Sequence, residues 1–209
     1  MCILYLGTFG SFIGFAAGFP LLIKSQFTGI DPVKYAFLGP LVGALARPFG
    51  GWISDKIKSG ALITQFVFIG MIVAVCGVIF FLPNNGEGGN FWGFFACFLA
   101  LFTLTGIGNG STFMQVPVIF LNMHQKFAEE GKVSEEQARL DATKEGAAVI
   151  GFTAAFAAYG GFFIPKSYGT SIDLTGGVNA ALIGFIIFYA ICAALNWWYY
   201  TRKGAEAKC

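Results

Sequence analysis

Six apolar runs of membrane-spanning length divide this 209-residue sequence. A transmembrane helix needs about 20 predominantly apolar residues to cross a hydrocarbon layer of about 30 Å. The runs cover residues 1–23, 35–56, 61–82, 91–120, 146–164 and 180–200. In lipid the backbone polar groups must be satisfied internally, which helices achieve within one segment. We therefore expect an all-α, polytopic membrane protein with six transmembrane helices.

The overall composition supports a protein surrounded by lipid. Only 11% of the residues are charged and 56% are hydrophobic, whereas a soluble domain carries about 25% charged residues. The net charge of +2 is too small to indicate a nucleic-acid partner. The five cysteines form no cluster with metal-ligand spacing, so we expect no metal, no cofactor and no enzyme activity. The chain is already apolar at Met1, which predicts that the true start of the first helix lies outside this sequence.

One arginine, Arg47, lies inside the second run. At a rise of about 1.5 Å per residue it is roughly 18 Å from the Tyr35 end and about 12 Å from Asp55, close to the membrane midplane. A guanidinium at that depth is costly unless it faces water, an opposite charge or an anionic ligand. The alternative is that its side chain reaches back towards Asp55, but an arginine side chain spans only about 6 Å. Arg47 therefore favours an ion or substrate pathway.

Small residues mark the faces on which the helices should approach each other. Gly7, Gly10, Gly14 and Gly18 recur at spacings of three and four residues, which places them on one face of the first helix. Pro48, next to Arg47, predicts a break in the second helix that would free backbone carbonyls beside the arginine. The Gly-rich pattern at 106–110 is no dinucleotide fingerprint, because it lies within an apolar run without a preceding strand.

The long hydrophilic segment, 122–145, is predicted to be a loop that ends in a helix N-terminus. Ser134 and the Glu and Gln residues after it fit a capping box, so a helix should start there and continue into the fifth run, ending at Pro165. His124, the one histidine, is expected to be a solvated loop residue. The third run is followed by a predicted turn at 83–86.

Basic residues in the connecting segments predict the orientation of the chain. If the even-numbered loops and the C-terminus face one side, that side carries Lys56, Lys58, Lys126, Lys132, Arg139, Lys144, Arg202, Lys203 and Lys208. The other side carries Lys24, Lys34 and Lys166. By the positive-inside rule the C-terminus, and with it the loop at 122–145, is then cytoplasmic. We expect a multi-pass membrane protein.

Several motifs resemble one transporter family. The residues 51–56, GWISDK, resemble the G-x-x-x-D-[RK] loop of the major facilitator superfamily. The stretch 151–163, GFTAAFAAYGGFF, is similar to the second nitrate signature of the nitrate/nitrite porters. The same family is matched by LYLGTFGSFIGF, GALARPFGGWISDK, GNGSTF and GGFFIPKSYG. The resemblance covers almost the whole chain and implies the C-terminal six-helix bundle, residues 1–209, of a twelve-helix fold in a bacterial inner membrane. The N-terminal half, with the first nitrate signature, is absent from this sequence.

The resemblance also implies roles for individual residues. Arg47 matches the second of the family's two substrate-binding arginines, and Tyr5 and Phe9 match a tyrosine and a phenylalanine that line the pocket. Gly151 opens the signature helix, whose close backbone packing would let the two halves rock. Some members carry a serine near the substrate three residues later. This chain departs from that pattern, with Ala154 at the position and Thr153 beside it.

The chemistry of these residue types agrees with a small planar anion. A guanidinium is a planar fork of donors that suits the oxygens of nitrate or nitrite, Phe9 can wall the site and Tyr5 can donate one hydrogen bond. No Asp, Glu or His lies inside the runs apart from Asp55 at a boundary, which favours nitrate/nitrite antiport over proton symport.

The predicted partners are thus nitrate or nitrite, the lipid bilayer and the missing six-helix half. The alternatives are a proton-coupled nitrate symporter, a porter for another small oxyanion, a six-helix structural or sensory membrane subunit in which Arg47 anchors a partner's acid, and a non-functional gene fragment.

Overall fold

The computed structural model describes residues 1–83 and 88–205. The described residues form helices and no strand, which confirms the all-α prediction. Seven helices are numbered here in chain order: α1 Cys2–Gln26, α2 Leu38–Ile57, α3 Gly60–Phe81, α4 Phe91–Glu129, α5 Glu135–Ala158, α6 Gly160–Thr175 and α7 Asn179–Asn196. A one-turn helix, Pro32–Tyr35, precedes α2, and a π-helical turn, Trp197–Thr201, follows α7. The predicted turn at 84–86 and Lys208 lie outside the described residues.

Five helical stretches in the described part of the chain are long and apolar enough to cross a membrane. They are Cys2–Gln26, Gly60–Phe81, Phe91–Glu129, Glu135–Thr175 and Asn179–Thr201. The second predicted span, α2, has 20 residues and so reaches about 30 Å, but Arg47, Asp55 and Lys56 make it less apolar than the others. The chain is therefore a multi-pass membrane protein.

The fifth span does not end at Pro165 as the sequence predicts. The helix is interrupted at the single residue Tyr159 instead, whose backbone remains right-handed helical, and α6 continues through Pro165 to Thr175. Proline removes one backbone donor, here the partner of the Gly161 carbonyl, and such a loss is tolerated in membrane helices. The predicted break at Pro48 is also absent, because α2 runs without interruption from Leu38 to Ile57.

The hydrophilic segment 122–145 is mostly helical instead of a loop. Helix α4 extends to Glu129 and α5 begins at Glu135. Ser134 caps α5 by accepting a hydrogen bond from the Gln137 backbone N–H at 3.3 Å, as the capping box predicts. The prediction that His124 is solvated is wrong: it is 7% exposed and lies 3.0 Å from Glu145 of α5. The longer helices bring these two side chains together and bury the imidazole.

An aromatic cluster between α1 and α4 forms much of the core. Phe19 stacks on Phe98 with ring centroids 4.4 Å apart, and Phe15 meets Phe98 edge to face at 5.5 Å. These rings are fully buried and fix α1 against the first half of α4. The second half of α4 is thereby held between α1 and α2, where the candidate site lies.

Close glycine contacts hold α1 against α5 and α6. A Cβ added at Gly10 would lie 2.7 Å from the Ala157 carbonyl, and one at Gly160 would overlap the Gly10 backbone. The predicted glycine face is thus confirmed for Gly10, Gly14 and Gly18, which meet α5 or α6. Gly7 instead faces Phe68 of α3, because a π-helical turn at Leu6–Gly10 shifts the phase of the helix between them.

Candidate functional site

Arg47 lies on the surface of the described bundle, on the side of α2 that faces α1 and α4. Its guanidinium carbon is 5.9 Å from the ring centroid of Phe9 and 5.9 Å from that of Phe113. Both distances are within the range of a cation–π contact. The side chain is exposed, so the charge is held between two aromatic rings and still open on one side.

The guanidinium of Arg47 has no opposite charge beside it. Within residues 1–83 and 88–205, no carboxylate or other acceptor bonds to it. Arginine carries only donors and remains charged at any physiological pH. Its donor fork is therefore available to an anion that approaches from the open side.

The backbone of Arg47 is fixed by the glycines of α4. A Cβ on Gly110 would overlap the Arg47 carbonyl and lie 2.8 Å from the Gly51 nitrogen. Gly106 packs in the same way against the Gly43 carbonyl one turn along. The Gly-rich pattern at 106–110 thus serves the contact between α2 and α4, and it sets the depth of the arginine relative to α4.

Phe9 belongs to the π-helical turn of α1, Leu6–Gly10. Turns of this kind occur as single insertions in helices and are frequent at functional sites. The residue before Phe9 is Thr8, and its hydroxyl lies 2.9 Å from the Thr112 hydroxyl of α4. This buried pair fixes the turn, and so the Phe9 ring, against α4.

Tyr5 stands next to Phe9 with ring centroids 5.2 Å apart. The side chain is only 4% exposed, yet its hydroxyl bonds to no residue of the described part. It lines a narrow crevice together with Thr112 and Phe113 of α4 and Thr153 of α5. Phe9 in turn contacts the Arg47 guanidinium, so the structure brings Tyr5, Phe9 and Arg47 together.

Gly151 and Ala154 lie on α5, the helix that carries Thr153. Gly151 is exposed, and no described atom comes within 4 Å of a Cβ added there. Ala154 is half-buried, whereas Thr153 is buried and donates its hydroxyl to the Ile150 carbonyl at 3.1 Å. The close packing expected at Gly151 is therefore not made within this bundle, and Thr153 is the α5 side chain that reaches the Tyr5 crevice.

Two residues near the arginine were not predicted from the sequence. Phe113 supplies the second ring over Arg47, and Asn109, one turn before it, is buried in the middle of α4. A polar amide inside an apolar run is itself a signal, because such groups are expensive in lipid and usually functional. In the described ranges, no group of three or more His, Cys, Asp or Glu side chains has the geometry of a metal site.

Comparison with known proteins identifies relatives along the full length of the chain. It is 44% identical over 208 residues to the nitrate/nitrite transporter NarU of Escherichia coli, covering 100% of this chain and 45% of that protein. It is 41% identical over 214 residues to the probable nitrate/nitrite antiporter NarK2 of Thermus thermophilus, covering 100% of this chain and 43% of the relative. The nitrite extrusion protein of Bacillus subtilis is 26% identical over 211 residues, or 97% of this chain and 45% of that protein.

The chain spans about half the length of these relatives. No protein-family model matches it. The similarity at 41% and 44% identity nevertheless extends along the whole chain, and the helical bundle agrees with one half of a twelve-helix transporter. The chain belongs to the nitrate/nitrite porter family of the major facilitator superfamily, and it corresponds to one six-helix half of such a porter.

Proposed function

We propose that this chain forms the C-terminal half of a nitrate/nitrite transporter in which Arg47 binds the planar anion. One observation carries the proposal: a guanidinium that pairs with no described carboxylate lies midway along a helix of spanning length, between two aromatic rings. Arginine matches the oxygens of a planar anion with paired hydrogen bonds. The Phe9 and Phe113 rings wall the site, and the Tyr5 hydroxyl supplies one further donor.

The exposure of Arg47 supports a second half as the partner. A guanidinium on the outer surface of a membrane bundle would meet lipid, which is costly at this depth. Covering that surface with another helical bundle would enclose the arginine in a polar cavity between two halves. Such cavities near the midplane are where transporters of this kind bind their substrates, with access alternating as the halves rock.

Exchange of nitrate for nitrite is the coupling that the surroundings of Arg47 favour. Its described aromatic neighbours are Phe9, Phe113 and Tyr5, none of which titrates near neutral pH. His124 follows Phe113 by 11 residues on α4, about 16 Å along the helix, so it is remote from the anion. Two relatives carry the words transporter and antiporter in their names. The excess of basic residues on one side supports a bacterial inner-membrane protein with a cytoplasmic C-terminus.

Counterflow in vesicles tests this proposal. The complete transporter that contains this half should take up labelled nitrate into vesicles loaded with nitrite or nitrate, and not into empty vesicles with an inward proton gradient. Uptake driven by the proton gradient alone would show that the protein is a symporter and not an exchanger. If another oxyanion competed with nitrate more strongly than nitrite does, that oxyanion would be the better candidate for the substrate. If uptake did not saturate under either condition, the proposal of transport would be wrong.

A further inference from the structure

Asn109 carries a buried carboxamide without a partner in the middle of α4. The residue is 2% exposed, and its Oδ1 atom is fully buried and accepts no hydrogen bond from any described residue. Its amide nitrogen also donates to no residue in the described ranges. By contrast, Asn196, whose Oδ1 is also unpartnered, donates through its nitrogen to the Ala61 carbonyl at 2.9 Å. A fully buried amide oxygen without a hydrogen-bond donor is rare, and it calls for a polar partner.

The side chain of Asn109 lies on the face of α4 that looks towards the gap between α1 and α2. Thr112, three residues on, pairs with Thr8 of α1, and Phe113, four residues on, contacts Arg47 of α2. Residues three and four apart are neighbours on a helix surface, so Asn109 shares this face with both. The next residue, Gly110, packs directly on the Arg47 backbone, which holds Asn109 at the level of the arginine.

The donors and acceptors of these groups are complementary. A guanidinium only donates and nitrate only accepts, whereas a carboxamide does both. The two side chains are not hydrogen-bonded to each other in this structure, so pairing requires rotation of the long, exposed Arg47 side chain. An amide at this position can accept from Arg47 through Oδ1 and donate to an anion oxygen through its nitrogen without adding charge.

We propose that Asn109 is a positioning residue of the anion site: its oxygen orients the Arg47 guanidinium and its amide group donates to the bound nitrate. This inference rests on the proposed function, and it adds a neutral donor on α4 to the charged donor on α2. A carboxylate at position 109 would pair with Arg47 and repel the anion, so the amide is the group that fits both neighbours.

Nitrate binding to the purified complete transporter tests the inference with three substitutions. Asn109→Leu, of similar size, should weaken nitrate binding at least tenfold. Asn109→Asp should bind nitrate poorly at neutral pH and recover as the pH falls, because a protonated acid regains a donor and loses its charge. Thr105→Val is the matched control: that buried hydroxyl on α4 is satisfied by the Phe102 carbonyl at 2.9 Å, so nitrate binding should stay within threefold.

The outcomes separate this inference from the proposed function. A wild-type transporter that does not bind nitrate overturns the proposed function, and this inference with it. A wild type that binds, together with an Asn109→Leu variant that melts normally and binds within threefold, overturns only the role of Asn109. If Asn109→Leu fails to fold, the Asn109→Asp variant provides the test. If its nitrate affinity, relative to that of the wild type, does not recover as the pH is lowered, the proposed role of Asn109 is wrong.

Discussion

Arg47 is the residue on which the anion site depends, and a conservative substitution tests its geometry. Arg47→Lys keeps the charge but replaces a planar donor fork with a strongly hydrated point charge. A hydrogen bond to a charged group contributes about 1.5 to 3 kcal/mol, so losing one bond of a pair should weaken nitrate binding roughly 10- to 100-fold. Isothermal titration of the complete transporter with nitrate measures the effect.

Arg139→Lys is the control for that measurement, because Arg139 is exposed on α5 and should leave binding unchanged. If the dissociation constant of Arg47→Lys lies within about threefold of wild type, the change is well inside the factor of ten that 1.4 kcal/mol represents. Arg47 would then be a structural or steering charge and not the anion-binding group.

Tyr5 provides a second residue-level test, because only its hydroxyl is at issue. Tyr5→Phe keeps the ring that packs on Phe9 and removes a donor that has no protein partner in the described chain. We expect nitrate binding to weaken roughly tenfold, with little change in the melting temperature.

Tyr189→Phe gives the opposite pattern and serves as the matched control. The Tyr189 hydroxyl donates to Ser11 at 2.8 Å, so its removal should lower the melting temperature and leave nitrate affinity intact. Equal loss of affinity in both variants would indicate a general effect on packing and not a donor at Tyr5.

The sequence predicts Tyr5, Phe9 and Arg47 as site residues, but it does not single out Asn109. Tyr5 and Phe9 are one turn apart, and an arginine in an apolar run stands out by its cost. The GNGSTF block that contains Asn109 indicates the family, but nothing in that pattern distinguishes the amide from its small neighbours. Phe113 reaches Arg47 through the packing of α4 on α2, and such a tertiary contact has no local signal in the sequence.

At the level of helices, Gly110 sets the distance between α4 and α2. A methyl group there would meet three backbone atoms of α2, the Arg47 carbonyl, the Gly51 nitrogen and the Gly50 carbonyl carbon, none of which can rotate away. Gly110→Ala should therefore push the helices apart, destabilise the protein by about 1 to 3 kcal/mol and weaken nitrate binding. The melting temperature and the nitrate affinity of the complete transporter report the two effects.

Gly169→Ala on α6 is the control for Gly110→Ala. No atom of the described residues lies within 4 Å of a Cβ at Gly169, and alanine favours helix over glycine by about 1 kcal/mol. We expect the melting temperature of this variant to stay the same or rise. A Gly110→Ala protein as stable as the Gly169→Ala protein would contradict the close contact of α4 and α2.

Helix types and most packing faces follow from the sequence, whereas helix ends and one face do not. The capping box at Ser134 located the start of α5, because its hydrogen bonds are local. The helix end predicted at Pro165 is wrong, because the helix is interrupted at Tyr159 and continues through the proline. The prediction for His124 is wrong because α4 and α5 both extend beyond the membrane-spanning runs and bring His124 against Glu145. These two residues are 21 positions apart in the sequence. The turn at Leu6–Gly10 moved Gly7 off the predicted face.

At the scale of the whole molecule, Gly151 marks the surface expected to meet the other half. It faces open space in this bundle, so Gly151→Leu should not disturb α5 itself. In the complete transporter the added side chain should obstruct the close approach of the two halves and slow nitrate/nitrite exchange at least tenfold. Exchange rates in vesicles, normalised to the amount of inserted protein, measure this.

Gly184→Leu on α7 is matched to Gly151→Leu, because Gly184 is also exposed with no described atom near a Cβ. It should exchange at the wild-type rate if that face of α7 meets lipid. If Gly151→Leu exchanged nitrate for nitrite at the wild-type rate, Gly151 would not lie at the interface between the two halves.

This six-helix bundle by itself should not transport nitrate. Arg47 lies open on the bundle surface, and the aromatic rings of the described chain that contact it are Phe9 and Phe113. A site between two bundles needs both of them to hold the anion and to alternate its access. Vesicles that contain only residues 1–209 should show no nitrate-driven nitrite efflux above protein-free vesicles, whereas the complete transporter at equal density should show saturable exchange. Adding the separate N-terminal half should restore part of the activity if the two bundles associate. Saturable exchange by the isolated chain would mean that copies of this bundle form a complete pathway, and Arg47 would then face a second copy of itself instead of a different half.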